Sequence, residues 1–372
     1  MLTWAEINLD AISHNLRQIK SLVEPKGAKV LAVVKDNAYG HGALEVARIA
    51  ESENVSMFGV ATVEEAVYLR QEGIKKPILI FCCILPEQAD NVMYYDITQT
   101  VCDLNIPHAL SESAKKLDKT AKIHVKVDTG MGRIGVACDK AIDLIKQIIQ
   151  LPNIIVDGIY THFSVADEEE SYTNIQIERF NSILSELKEL NINIPIRHSA
   201  NSAAILNFPS SYYDMVRPGI AIYGLPPCDK PCYPIDLKPA LSLKTRIVYI
   251  KKMPVGSSIS YGRTYITDKP SLIATIAVGY GHGYNRKLSN KGEVLIGGKR
   301  AKIIGTICMD QCLCDVTHVP EASIGDDVVL IGKQGDQEIT ADELADKIGT
   351  ISYEILCGIN ANVKRKYIGD QL

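Results

Sequence analysis

Lys35 stands at the end of five apolar residues, Val30-Leu-Ala-Val-Val34, and is followed by Asp36-Asn-Ala-Tyr39-Gly-His-Gly42. Such a run reads as a strand buried on both faces, because a half-exposed strand would alternate polar and apolar residues. Burial at the mouth of that strand disfavours the ammonium form, which suits a lysine to Schiff-base chemistry. A lysine that only caps a strand is the bland alternative. A second group lies far along the chain, where Asn201-Ser202 opens a helical segment and Arg217-Pro-Gly219-Ile220 follows an extended one. Backbone N–H groups beside a hydroxyl and a guanidinium suit a phosphate. Lysine, phosphate site and arginine together suggest pyridoxal phosphate.

Two further patterns compete. Gly130-Met-Gly132-Arg-Ile-Gly135, with Asp157 22 residues beyond, has the form of a dinucleotide fingerprint. Against it, Asp-Thr separates strand from glycines, and the next helix opens only near Asp139, too late to meet a pyrophosphate. Cys308, Cys312 and Cys314 would share a strand face, but their spacing fits no zinc pattern, and no metal is expected. Cys82, Cys83 and Cys102 read as small buried hydrophobes within strands.

These groups need a frame, and the chain supplies one. Extended runs at 30–34, 57–62, 77–83, 97–103, 122–128, 154–162, 194–198 and 213–223 alternate with helical segments. Eight β/α units in little more than 200 residues predict an α/β fold, an N-terminal (β/α)8 TIM barrel over 1–234. In a barrel, functional groups collect at the carboxyl ends of strands, and Lys35, Asp128, His162, His198 and Arg217 stand there. After a proline-rich linker at 226–239 the texture changes to short strands and turns, predicting a mainly β domain over 235–372. One helix, at 340–348, interrupts it, with Thr340 and Glu343 spaced as a capping box.

The bulk properties exclude several classes. With 372 residues and a net charge of −4, the chain offers no electrostatic case for nucleic acid. No apolar run is long enough to span a bilayer and the opening residues lack a signal-peptide pattern, so a cytoplasmic location is expected.

Several ordered segments carry a resemblance. They are Ala32-Val-Val-Lys35-Asp-Asn-Ala-Tyr39-Gly-His-Gly42, His124-Val-Lys126-Val-Asp-Thr-Gly-Met-Gly-Arg133-Ile-Gly135, Tyr160-Thr-His162-Phe, Ala200-Asn-Ser-Ala203, Val216-Arg217-Pro-Gly-Ile220, Ser260-Tyr261-Gly262, Val278-Gly-Tyr280-Gly and Ile307-Cys-Met309-Asp-Gln311. Together they resemble the alanine racemases, pyridoxal 5'-phosphate enzymes with a barrel followed by a β domain. The resemblance implies that Lys35 holds the cofactor and acts as one base, with Tyr261 as the other, reaching the site of the partner subunit in a homodimer. It places Arg133 and the Met309 N–H at the substrate carboxylate and Tyr280 at the entrance. His162 would pack on the cofactor ring with His198 nearby, Arg217 would face the pyridine nitrogen, and Tyr39, Asn201, Ser202, Gly219, Ile220 and Tyr353 would surround the phosphate. Lys126 would be open to carbamylation, with a Lys126–Asp128 ion pair as the alternative. The implied activity interconverts L- and D-alanine, supplying D-alanine for peptidoglycan; a serine or broad-specificity racemase is the alternative. Asp36, Thr306 and the tail at 360–366 depart from the pattern, which more often has Ala, Arg and Ser-Tyr-Arg-Val-Pro-Arg there.

Overall fold

A computed structural model describes residues 2–228 and 232–369, so residues 229–231 of the proline-rich linker lie outside the described residues. The chain forms two compact units. One comprises 12–38 and 43–238; the other gathers the opening residues through Ala11, Tyr39–Gly42 and the chain from Pro239 onward.

The first unit is the eight-stranded barrel. Its strands are β2 (Lys29–Val33), β3 (Met57–Val60), β4 (Ile78–Ile80), β5 (Thr98–Val101), β6 (Ala121–Asp128), β7 (Ile154–Tyr160), β8 (Ile196–His198) and β9 (Met215–Val216), counting the opening strand Trp4–Asn8 as β1. Each of β2 to β9 pairs in parallel with the next, and β9 pairs with β2 to close the ring. The apolar run before Lys35 is enclosed as its composition requires: Leu31 and Ala32 expose nothing. Amphipathic helices cover the outside; Ile12, Leu16 and Ile19 recur at helical spacing and are fully buried.

In the second unit six strands close into a ring. Asp327–Gln334, Glu293–Ile296, Lys299–Ile304, Cys312–Asp315, Ser271–Ile276 and Leu241–Met253 pair in that order, and the last pairs back to the first. The opening strand belongs here. β1 pairs antiparallel with Leu241–Met253 and parallel with Lys364–Ile368, so the division at 234/235 is corrected by these pairings. The reason is chemical: Ala5 and Ile7 are buried, while Glu6 meets Lys244 at 2.7 Å.

Other differences have equally local causes. Thr340 caps Ala341–Ile348 by accepting the Glu343 N–H at 3.0 Å, but a second short helix, Ser352–Cys357, follows it. Cys82 and Cys83 are exposed, because β4 ends at Ile80 and both lie in the loop beyond it; Cys102 is half-buried. Among the described residues no helix is long and apolar enough to cross a membrane.

Candidate active site at the carboxyl end of the barrel

Lys35 leaves β2 half-buried and enters an unusual turn. Asp36, Asn37, Ala38 and Tyr39 all have φ between +52° and +54°, a left-handed run that L-residues resist by roughly 1–2 kcal/mol each. Hydrogen bonds hold it. The Ala38 N–H returns to the Val34 carbonyl at 2.9 Å, and Asn37 Oδ1 accepts the Ala43 N–H at 2.9 Å. Glu65 clamps the turn to the next loop, accepting from Asp36 N at 2.6 Å and Ala61 N at 2.7 Å.

Arg217, 4% exposed, follows β9, the strand that pairs with β2, and is the hub of the site. It donates to the carbonyls of Thr161 at 2.8 Å and Ser199 at 2.9 Å, to His198 Nδ1 at 3.0 Å and to His162 Nδ1 at 3.2 Å. Burial pulls its pKa down to about 10, which still leaves it charged at neutral pH. A guanidinium only donates, so His198 Nδ1 must accept, and its proton sits on Nε2. That proton goes to His124 Nδ1 at 2.8 Å, which puts the His124 proton on Nε2, 3.9 Å from the Asp157 carboxylate. One fixed donor thus sets two tautomers. Both imidazoles stay neutral: burial, then the Arg217 charge, holds His198 well below its ordinary value, and burial lowers His124.

The mouth is rich in positive charge. Burial, then the charge of Arg217 with Lys126, Arg133 and Lys35 after it, pushes His162 well below its usual pKa. Lys126 is lowered to about 8 by burial and by Arg133 and Arg217, and its Nζ lies 5.5 Å over the Tyr160 ring. Asp128 does not neutralise it by a direct pair. Its carboxylate accepts the Gly130 and Gly132 N–H groups at 3.0 Å. The three glycines of the fingerprint serve this turn, for Gly135 has φ +134° and an added Cβ there would lie 2.6 Å from Asp128 N.

The other expected anion-binding groups also converge. Asn201 caps the helix Ser202–Asn207, accepting from Ala204 N at 3.0 Å. Ser202 Oγ accepts the N–H groups of Gly219 at 2.9 Å and Ala221 at 3.4 Å, so its own proton is left to donate. The N–H groups of Ser202 and Ile220 open their helical turns and have no acceptor within them.

The remaining residues lie in the second unit. Tyr261, Met309 and Tyr280 are 69%, 55% and 42% exposed. Their loops are tied together: Tyr280 N donates to the Cys308 carbonyl at 3.0 Å, and Gly281 N to the Met309 carbonyl at 2.8 Å. The rings of Tyr39 and Tyr353 lie 6.1 Å apart.

Tyr160 escaped the reading of site residues from sequence. Its ring stacks on His198 at 4.6 Å and 7°, lies 5.1 Å from the Arg217 guanidinium, and its hydroxyl meets Thr100 at 2.8 Å. The available signal was its place two residues before His162, on the same strand face. His124 could have been read from its alternation with Lys126 along β6.

Residues 7–227 match the family description "Alanine racemase, N-terminal domain", and residues 240–367 match "Alanine racemase, C-terminal domain". The chain is 47% identical to the alanine racemase of Halothermothrix orenii over 98% of this chain and 96% of that one. It is 46% identical to that of Carboxydothermus hydrogenoformans, over 98% and 99%. Among solved structures, an alanine racemase of Clostridium difficile superposes with a TM-score of 0.93 at 39% identity, covering 99% of this chain and 96% of that one. The Bacillus anthracis alanine racemase with bound L-Ala-P gives 0.91 at 40% identity, over 99% and 95%. With both halves matched in order and the likeness running through nearly the whole chain, the protein belongs to the alanine racemase family.

Proposed function

We propose that the chain interconverts L- and D-alanine with pyridoxal 5'-phosphate, and that Lys35 and Tyr261 exchange protons at the substrate Cα from opposite faces. The observation that carries this reading is the barrel mouth: a buried Arg217 spends its donors there on carbonyls and on His198 and His162, while the Asp128 carboxylate is occupied by backbone N–H groups. Such a site suits a dianionic phosphate and a carboxylate. When bound, the cofactor supplies an aldehyde for an amine and a conjugated ring that makes the Cα proton acidic.

The chain's own groups divide the remaining work. The Ser202 hydroxyl and N–H and the Ile220 N–H donate to phosphate, with Asn201 and Gly219 fixing the Ser202 turn and Tyr39 and Tyr353 as further phosphate contacts. His162 and His198 stay neutral and pack against the cofactor ring or support Arg217. Arg217 offers the ring nitrogen no proton it can release, which limits charge withdrawal and favours simple return of the proton to Cα. Arg133 and the Met309 N–H take the substrate carboxylate, and Tyr280 lines the entrance.

To act as a base Tyr261 needs a cation close by, a role that suits Arg133. At a pKa of about 8, Lys126 keeps a fraction of neutral amine at pH 7. That amine can add to carbon dioxide, forming a C–N bond and releasing one proton, to give a carbamate that orients Arg133. The high exposure of Tyr261 and Met309 in one chain supports a homodimer in which each second unit completes its partner's barrel site. A cytoplasmic enzyme supplying D-alanine for peptidoglycan is the physiological role this reading implies.

The first test is the visible spectrum of the purified protein, with circular dichroism following L-alanine. Yellow protein whose optical signal decays to zero is the expected result. Colourless protein that pyridoxal phosphate cannot reconstitute removes the reading, and yellow protein that turns over serine but not alanine moves the substrate. Tyr261→Phe should slow exchange of the Cα proton by on the order of 10²-fold or more from one enantiomer and far less from the other. Exchange in deuterated water, started separately from each enantiomer, measures this; equal loss from both would sink the two-base assignment.

A further inference from the structure

Tyr261 sits in a turn that its backbone does not favour. Ser260 has φ +61° and Arg263 φ +51°, with Gly262 at +73° between Tyr261 and Arg263. Left-handed non-glycine residues persist only where their surroundings hold them. Here the holding contacts converge on Thr306, a buried residue. The Thr306 hydroxyl donates to the Tyr261 carbonyl at 2.8 Å, and the Thr306 carbonyl accepts from Ser260 Oγ at 2.5 Å.

The direction of the remaining bonds follows from counting protons. Thr306 has one hydroxyl proton, spent on Tyr261, so at the 3.4 Å contact Thr264 must be the donor and Thr306 the acceptor. Thr264 Oγ1 accepts in turn from Asn290 Nδ2 at 3.0 Å, and Asn290 Oδ1 is fixed by the Gly305 N–H at 2.6 Å. The result is a one-way chain of donors running Asn290, Thr264, Thr306 and ending on the Tyr261 carbonyl.

We propose that Thr306 is a positioning residue that aims the Tyr261 side chain for proton exchange. This rests on the reading of Tyr261 as the second base. Thr306→Val keeps the shape and removes the donor, whereas Thr306→Ser keeps the donor. In the holoenzyme, Thr306→Val should slow Cα exchange about tenfold from the enantiomer that Tyr261→Phe affects most, the scale of one lost hydrogen bond. Exchange from the other enantiomer should stay within about twofold, and Thr306→Ser should restore both, since the same donor is present. Equal slowing of both enantiomers, or no slowing, beside a selective Tyr261→Phe would overturn the positioning role alone. A Tyr261→Phe without selectivity would instead remove the underlying reading, and the proposal with it. Should Thr306→Val not fold, Thr264→Val breaks the chain one link further out. It should give a smaller loss on the same enantiomer, and a loss without that selectivity would refute the proposal.

Discussion

Arg217, His198 and His124 in the barrel unit are enclosed, and their protons are assigned by one another; Tyr261, Met309 and Tyr280 in the second unit stand well out in solvent on tied loops. The first group is prepared before anything binds. Its donors are already aimed, and its imidazoles are already neutral, which is how a site avoids reorganising during a reaction. The second group is held from behind, through backbone carbonyls, while its side chains remain bare. The difference teaches where substitutions should be felt. A change in the barrel network should cost both folding and chemistry, whereas a change to an exposed side chain of the second unit should cost chemistry alone.

Arg217→Met gives the largest expected effect. It strips donors from two carbonyls and two imidazoles at once, and leaving such groups buried without partners costs about 1–3 kcal/mol apiece before relaxation. A net loss of about 2–4 kcal/mol is expected, with activity down on the order of 10²–10³-fold. Thermal unfolding and turnover by the same protein measure the two losses together. Tyr261→Phe is the contrast, expected to match it in lost activity while melting with the parent. If Arg217→Met also melts with the parent, the barrel network is not structural and the contrast fails.

Much of this architecture was legible in the sequence, and the failures were specific. The eight barrel strands could be read because a parallel strand covered on both faces shows as an unbroken apolar run, as before Lys35. The placement of β1 could not, since a five-residue strand carries no mark of whether its partner lies nearby or at Leu241–Met253. Residue types pointed to Lys35, His162 and Arg217. They did not point to Tyr160, whose place under His198 depends on two strands meeting at one register. Nor could they show that a threonine at 306 would be the middle of a hydrogen-bond chain. Its partners at 261, 264 and 290 come together only when the loops are folded.

Acid should separate the two units next. His124 and His198 are held below the ordinary histidine value of 6.5, so on acidification the unfolded chain takes up protons that the folded barrel refuses. Stability is therefore lost as pH falls below about 6.5, by up to about 1.4 kcal/mol per pH unit for each histidine. The second unit answers differently. Glu343, paired with Arg300 at 2.7 Å and with Lys347, is lowered from 4.5 to about 2. Its contribution is complete above pH 4.5 and fades only as pH falls from there towards 2. Peptide-resolved hydrogen exchange at a series of pH values, corrected for intrinsic rates, should show the barrel opening first. Simultaneous opening would mean that the buried imidazoles do not set the acid limit.

The smallest effect compares the same bond in both units. Asn201 accepts from Ala204 N at 3.0 Å, and Thr340 accepts from Glu343 N at 3.0 Å; each satisfies one orphan donor in the first turn of a helix. Replacing either with Ala should cost about 1 kcal/mol. Only Asn201→Ala should also weaken cofactor binding, because the turn it fixes carries the Ser202 hydroxyl and stands against Gly219. Titrating pyridoxal phosphate into the two apo-variants, matched for stability in urea, separates the effects. A several-fold weaker affinity confined to Asn201→Ala would mean that the cap serves the ligand as well as the helix. Equal affinities would make both caps purely structural and shift the burden of phosphate binding onto the Ser202 hydroxyl and the Ile220 N–H.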